Sequence, residues 1–135
     1  MQREPRRPTF LVADDVQAIA HLVCELLRES GAEVVACATD GVQALRLFHA
    51  TLPDAVVLDL QMPGLNGLQL LRAIRESEHG RGCLVIVLTS HGEESIREQV
   101  LADGADHCLH KSTEFERLLQ IVPEFARSHA ATRQA

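Results

Sequence analysis

Residues 55–71, AVVLDLQMPGLNGLQLL, decide the fold. Ala55-Val56-Val57-Leu58 is a short unbroken apolar run that delivers Asp59 just as it ends. A run of that kind, bounded by turn signals, fits a strand buried on both faces of a parallel sheet. Met62-Pro63-Gly64-Leu65-Asn66-Gly67 follows, with Pro presetting φ and Gly permitting positive φ. Asn66-Gly67 alone would suggest a tight hairpin, but Leu68, Leu71 and Ile74 then repeat with helical period. The chain therefore enters a helix at about Asn66 or Gly67 instead of returning as a strand.

The same arrangement recurs outward from this stretch. Phe10-Leu11-Val12-Ala13 delivers Asp14 and Asp15, Leu84-Val85-Ile86-Val87-Leu88 delivers Thr89, and a weaker run, His107-Cys108-Leu109-His110, delivers Lys111. Ile19, Leu22, Val23, Leu26 and Leu27 form one stripe of a first helix over about 16–30, ended by Gly31. A strand follows over about 33–38, and Val42, Leu45 and Phe48 mark a second helix capped by Thr39 or Asp40. The fourth helix, roughly 93–102, has only Ile96, Val100 and Leu101 as apolar support, which makes it the least anchored and the best placed to move. Phe115, Leu118, Leu119 and Val122 mark the fifth, where Pro123 predicts a kink or an end near Val122. Strands alternating with helices predict an α/β fold, a doubly wound five-stranded parallel sheet flanked by five helices. Such sheets bind ligands beyond the carboxyl ends of their strands, so Asp14, Asp15, Asp59, Thr89 and Lys111 are expected to share one crevice.

Length and composition bound the rest. At 135 residues the chain fits one domain, expected over 9–127, with a flexible N-terminal tail over 1–8 and a C-terminal tail over 128–135. Thirteen basic residues against nineteen acidic give a net charge of −6, and the basic cluster Arg3, Arg6 and Arg7 sits in the N-terminal tail, so direct nucleic-acid binding is not expected. No run of 18 apolar residues occurs and polar residues follow Met1, which predicts no membrane span, no signal peptide and a cytoplasmic protein. Cys24, Cys37, Cys83 and Cys108 fall within apolar patterns without a C-x-x-C pair and are expected to be buried reduced thiols. His107 and His110 lie three apart on a strand, on opposite faces, which argues against a shared metal.

Carboxylates from two strand ends make an oxygen-only set suited to Mg²⁺. Two carboxylates about 4 Å apart repel by roughly 4 kcal/mol at an effective dielectric of 20, so crowding three of them calls for a cation. Asp14 and Asp15 have a plainer explanation as caps of the first helix. Asp59 has no capping duty if its helix begins seven or eight residues later.

Four stretches carry a family resemblance: LVADD at 11–15, VVLDLQMPGLNGLQLL at 56–71, VIVLTS at 85–90 and GADHCLHK at 104–111. In this order, from about Thr9 to about Ile121, the chain resembles the receiver domain of two-component response regulators, a flavodoxin-like fold whose best-known stand-alone member is the chemotaxis regulator. The resemblance implies that Asp59 is the phosphoryl acceptor. It makes Asp15 and Asp59 direct Mg²⁺ ligands with the backbone carbonyl of Gln61, and Asp14 a ligand acting mostly through water. Thr89 would donate its hydroxyl to the phosphoryl group and Lys111 would pair with another of its oxygens. It implies a phosphoprotein fed by a sensor histidine kinase or a histidine phosphotransfer protein, signalling to a separate protein target through the face formed by the fourth helix, fifth strand and fifth helix. The chain would then be a single-domain regulator and no enzyme beyond its own phosphoryl transfer and autodephosphorylation. The alternatives are an intermediate in a phosphorelay and a non-phosphorylatable interaction module on the same fold.

Two positions depart from the family pattern. Cys108 stands where an aromatic ring usually rotates inward, and Ser112 follows Lys111 where Pro, often cis, is usual. A cis bond before a non-proline costs about 2.5–4 kcal/mol, so the Lys111 loop is expected to be trans and reshaped, or strained. Gln61 and His91 occupy positions that tune water attack on the acyl phosphate in the family, His91 being read foremost as an exposed loop residue. A haloacid-dehalogenase-type phosphohydrolase would need Asp where Gln61 stands, and a flavin or nucleotide phosphate would be repelled by Asp14-Asp15-Val16.

Overall fold

The computed structural model describes residues 7–90 and 93–134. In chain order the elements are β1 (Thr9–Ala13), α1 (Gln17–Glu29), β2 (Glu33–Ala38), α2 (Gly41–Thr51), β3 (Ala55–Asp59), α3 (Gly67–Glu76), β4 (Leu84–Thr89), α4 (Glu94–Ala102), β5 (His107–His110) and α5 (Leu118–Gln134). Short 3-10 turns at His79–Gly82 and Phe115–Arg117 precede β4 and α5. The five strands are parallel in the order β2-β1-β3-β4-β5, so the winding reverses between β1 and β3. This is the doubly wound arrangement expected of alternating strands and helices, with its switch point beside Asp14 and Asp59.

Unbroken apolar strands follow from the two cores they divide. Leu11, Val56, Leu58, Val85 and Val87 pack on one face with Phe48, Leu70, Leu71, Ile74 and Val100 from α2, α3 and α4. Phe10, Val12, Val57, Ile86, Leu88 and Leu109 pack on the other with Val23, Leu27, Leu118 and Val122 from α1 and α5. Successive residues of a strand face opposite sides, so a sheet covered on both needs every position apolar.

Helix ends are set locally. Asp40, not Thr39, caps α2 by accepting the Gln43 N–H at 2.7 Å. Asn66 caps α3 in a reciprocal box, accepting the Gln69 N–H at 2.9 Å while Gln69 Oε1 accepts the Asn66 N–H at 3.0 Å. At α1 the cap position is Val16, whose side chain caps nothing. The plainer explanation of Asp14 and Asp15 as helix caps therefore fails.

Two expectations are corrected. Of the kink or end expected at Pro123, the end does not occur: α5 runs to Gln134, so residues 128–134 are helical. Packing on both sides of the proline outweighs its missing hydrogen bond: Ile121 and Val122 are buried before it, and Phe125 meets the Phe10 ring edge-on at 6.3 Å after it. His129 Nε2 lies 3.2 Å from Asp54 Oδ1, one turn further on. Cys37, expected to be buried, is exposed, because β2 is the edge strand of the sheet; Cys24, Cys83 and Cys108 are buried free thiols. The tail expected over 1–8 lies mostly outside the described residues, Arg3 and Arg6 with it. No described helix is long and apolar enough to cross a membrane.

Candidate functional site

The backbone ladder continues one residue past several strands, and that extension places the side chains. The Asp14 N–H donates to the Ala38 carbonyl at 3.0 Å, the Leu60 N–H to the Leu88 carbonyl at 2.9 Å, and the Lys111 N–H to the Thr89 carbonyl at 2.8 Å. Asp14, Asp59, Thr89 and Lys111 thus lie together at the carboxyl edge of the sheet. Asp14, Asp59 and Thr89 are the buried polar residues among those described, each under 5% exposed.

Lys111 bridges the two buried carboxylates. Its Nζ lies 3.0 Å from Asp59 Oδ2 and 3.1 Å from Asp14 Oδ2. The second oxygen of each carboxylate is held by the turn that follows it: Asp14 Oδ1 accepts the Val16 N–H at 2.9 Å and Asp59 Oδ1 the Gln61 N–H at 3.1 Å. Asp15 is exposed beside them, and one oxygen from each of Asp14, Asp15 and Asp59 lies within 4.8 Å of the others. The Lys111 contact to Asp14 Oδ2 is an ion pair by distance, yet that buried oxygen makes no hydrogen bond. A hard cation fits such a set: three clustered oxygens, one of them buried with bonding capacity to spare.

Electrostatics express the same crowding. Burial raises the Asp59 pKa above its ordinary value, and the Asp14 charge adds to the rise against the opposing Lys111 and Gln61 hydrogen bonds. Burial pulls the Lys111 ammonium the other way, but its interactions with the Asp59 and Asp14 carboxylates prevail and its pKa is raised. The site favours a proton on the carboxyl or a cation beside it.

Gly67 is a site residue of a kind that its place in the turn run did not reveal. A Cβ there would collide with the backbone of Asp59 and Leu60, and the Gly67 N–H donates to the Leu60 carbonyl at 3.0 Å. The first turn of α3 is thereby pressed onto the end of β3.

A family model for the response regulator receiver domain matches residues 10–123. The chain belongs to this family. The solved receiver domain of NarL, a response regulator from Mycobacterium tuberculosis, superposes with a TM-score of 0.82 at 33% identity, over 91% of this chain and 98% of that one. The chemotaxis response regulator CheY4 of Vibrio cholerae gives a TM-score of 0.79 at 26% identity, over 88% and 98%. Among curated relatives, the response regulator MprA of Mycobacterium sp. (strain KMS) is 40% identical over 82% of this chain, and the sensor histidine kinase GacS of Pseudomonas protegens is 35% identical over 87%. This receiver domain spans 46% of the former and 13% of the latter.

The departures from the receiver pattern have local solutions. No peptide bond among the described residues is cis, so the Lys111–Ser112 bond is trans. The reshaped loop is closed by His110, whose Nδ1 accepts the Ser112 N–H at 3.2 Å and lies 2.9 Å from Ser112 Oγ, and by Glu114, whose Oε1 accepts the His110 N–H at 3.0 Å. That backbone bond, with Arg117 and Arg97 nearby, lowers the Glu114 pKa. Cys108, smaller than a ring, borders a cavity of about 250 Å3 with Thr89, Glu94, Arg97, His110 and Glu114. His107 lies on the other face, toward Ile121 and Phe125, so the two histidines are separated as expected. His91 lies outside the described residues.

Proposed function

We propose that this receiver domain is phosphorylated on Asp59 in a Mg²⁺-dependent transfer from a phosphohistidine of a sensor histidine kinase or a histidine phosphotransfer protein. The observation that carries the reading is the Lys111 ammonium held 3.0 Å from Asp59 Oδ2. An oxygen of Asp59 forms the new O–P bond as the P–N bond of the donor breaks, and the leaving imidazole keeps the bonding pair and takes up a proton. Lys111 neutralises charge on the equatorial oxygens, and the Thr89 hydroxyl donates to another. Asp15, Asp59 and the Gln61 carbonyl would hold Mg²⁺, with Asp14 acting mostly through water. The ion supplies further charge neutralisation at the transferring group.

Signal output would leave through the face of α4, β5 and α5 to a separate protein. Val100 is the buried residue of α4, no side chain caps that helix, and the space beside Cys108 adjoins Thr89. A bias of a few kcal/mol between two arrangements suffices. Phosphorylation and autodephosphorylation of Asp59 would be the only reactions the chain catalyses, and a role as a relay intermediate uses the same chemistry.

Intact-protein mass after incubation with acetyl phosphate, with and without Mg²⁺ and beside Asp59→Asn, tests the assignment. A Mg²⁺-dependent phosphoryl adduct absent from the variant is expected. No adduct on the wild type would leave a receiver-fold interaction module whose unphosphorylated surface binds its partner.

A further inference from the structure

Outside the acidic site, the two thiols of Cys24 and Cys37 lie 3.4 Å apart, sulfur to sulfur. Cys24 is on α1 and buried; Cys37 is on β2 and exposed. In the β1–β2 register Cys37 pairs with Val12, which shares a core with Cys24, so the side chain of Cys37 points at α1 although its strand is the sheet edge. From this juxtaposition we propose that Cys24 and Cys37 are an oxidant-sensitive dithiol that closes to an intramolecular disulfide tying α1 to β2.

The geometry favours closure over the alternatives. A disulfide needs its sulfurs at about 2.05 Å, so the pair must draw together by roughly 1.4 Å. β2 is bonded to the sheet along one side only, which leaves its backbone freer to give than a central strand. A metal thiolate site would need further ligands, and among the described residues no third His, Cys, Asp or Glu joins these sulfurs. Burial pushes the Cys24 thiol up to about 12, with the Cys37 hydrogen bond adding to the rise. Cys37, the exposed residue of the pair, is therefore the one that meets an oxidant, and Cys24 is the resolving thiol.

With a hydroperoxide as oxidant, the Cys37 thiolate attacks the outer oxygen, the O–O bond breaks, and the alkoxide or hydroxide leaves with the electron pair and is protonated. The Cys37 sulfenic acid is then attacked by the Cys24 sulfur; the S–S bond forms, and the sulfenic hydroxyl departs as water with the Cys24 proton. Two thiols lose two electrons, and one peroxide gains them. The tie would form next to Ala38, whose carbonyl accepts the Asp14 N–H, so it adjoins the backbone of the acidic site without using any of its side chains.

Cys83 and Cys108 serve as internal controls. Both are buried, and burial raises both thiols, Cys83 to about 11. The experiment treats the reduced full chain with hydrogen peroxide, quenches, denatures, alkylates with N-ethylmaleimide and reads intact and tryptic masses. Two of the four thiols should become unalkylatable with loss of two hydrogens, and peptides 7–28 and 29–46 should be recovered cross-linked until a reductant separates them. Cys37→Ser and Cys24→Ser should each abolish the cross-link, the former changing an exposed residue that the fold does not need. Four alkylatable thiols after treatment, a Cys37 sulfinic acid beside an alkylated Cys24, or a Cys37–Cys37 dimer would each overturn the proposal.

Discussion

The acidic site and the α4 side of the same crevice are built to opposite standards. On the first side, Asp14 and Asp59 are buried, each has one oxygen fixed by a turn N–H and the other by Lys111, and Gly67 presses α3 onto Asp59 with no space for a methyl group. On the second, α4 buries Val100 alone among its residues, its start is uncapped, and a cavity of about 250 Å3 separates it from Cys108. The chemistry needs atoms held to tenths of an ångström, whereas a response needs an element whose displacement costs little. Tight and loose packing are thus divided between strands that end within a few residues of each other.

The largest effect expected on the tight side is that of Lys111→Met. Removing one partner of a buried charge cluster leaves two carboxylates facing each other, and urea unfolding without Mg²⁺ should show a loss on the order of 3 kcal/mol. A loss near zero would mean that the carboxylates are not crowded. Gly67→Ala should cost about 2–3 kcal/mol, because the atoms a Cβ would meet are backbone and cannot turn aside. On the loose side, Val100→Ala should cost about 2 kcal/mol and speed amide exchange in α4 well before α3. Equal acceleration in both helices would erase the distinction.

The pH dependence separates the two sides more finely. Asp59 has its pKa raised on folding, so the folded chain keeps a proton that the unfolded chain, with an ordinary value near 3.8, has released. Its contribution to stability is full below that value and is lost as pH climbs through the folded one. Lys111 is also raised, from 10.5, and its contribution disappears only above that. Without Mg²⁺, Asp59→Asn should therefore become more stable than wild type as pH rises from about 4 toward neutrality, and Mg²⁺ should restore the wild type's standing. The smallest effect belongs to Arg97→Ala, which breaks a 3.7 Å half-exposed pair with Glu114 and should change stability by less than about 0.5 kcal/mol.

Much of this was legible in the residues. Unbroken apolar runs told buried parallel strands, and the polar residue ending each one told the crevice, because both follow from period and position along one chain. The cap of α2 was narrowed to Thr39 or Asp40 in the same way, and the start of α3 to Asn66 or Gly67. What stayed hidden depends on neighbours distant in sequence. Pro123 forecast a kink or an end in a helix that Phe10 and Asp54 hold together from 113 and 69 residues away. Cys37 looked like its buried companions until the strand order put β2 at the edge. The double grip of Lys111 on Asp14 and Asp59 and the lack of room at Gly67 are matters of distance that no spacing encodes.

The most direct test follows backbone amide shifts when Mg²⁺ and beryllofluoride, a mimic of the phosphoryl group, are added. Changes at Asp14, Asp59 and Thr89 that extend through α4 to Cys108 and His110 are expected. Changes confined to the ends of β1 and β3, with α4 and β5 unmoved, would contradict this expectation.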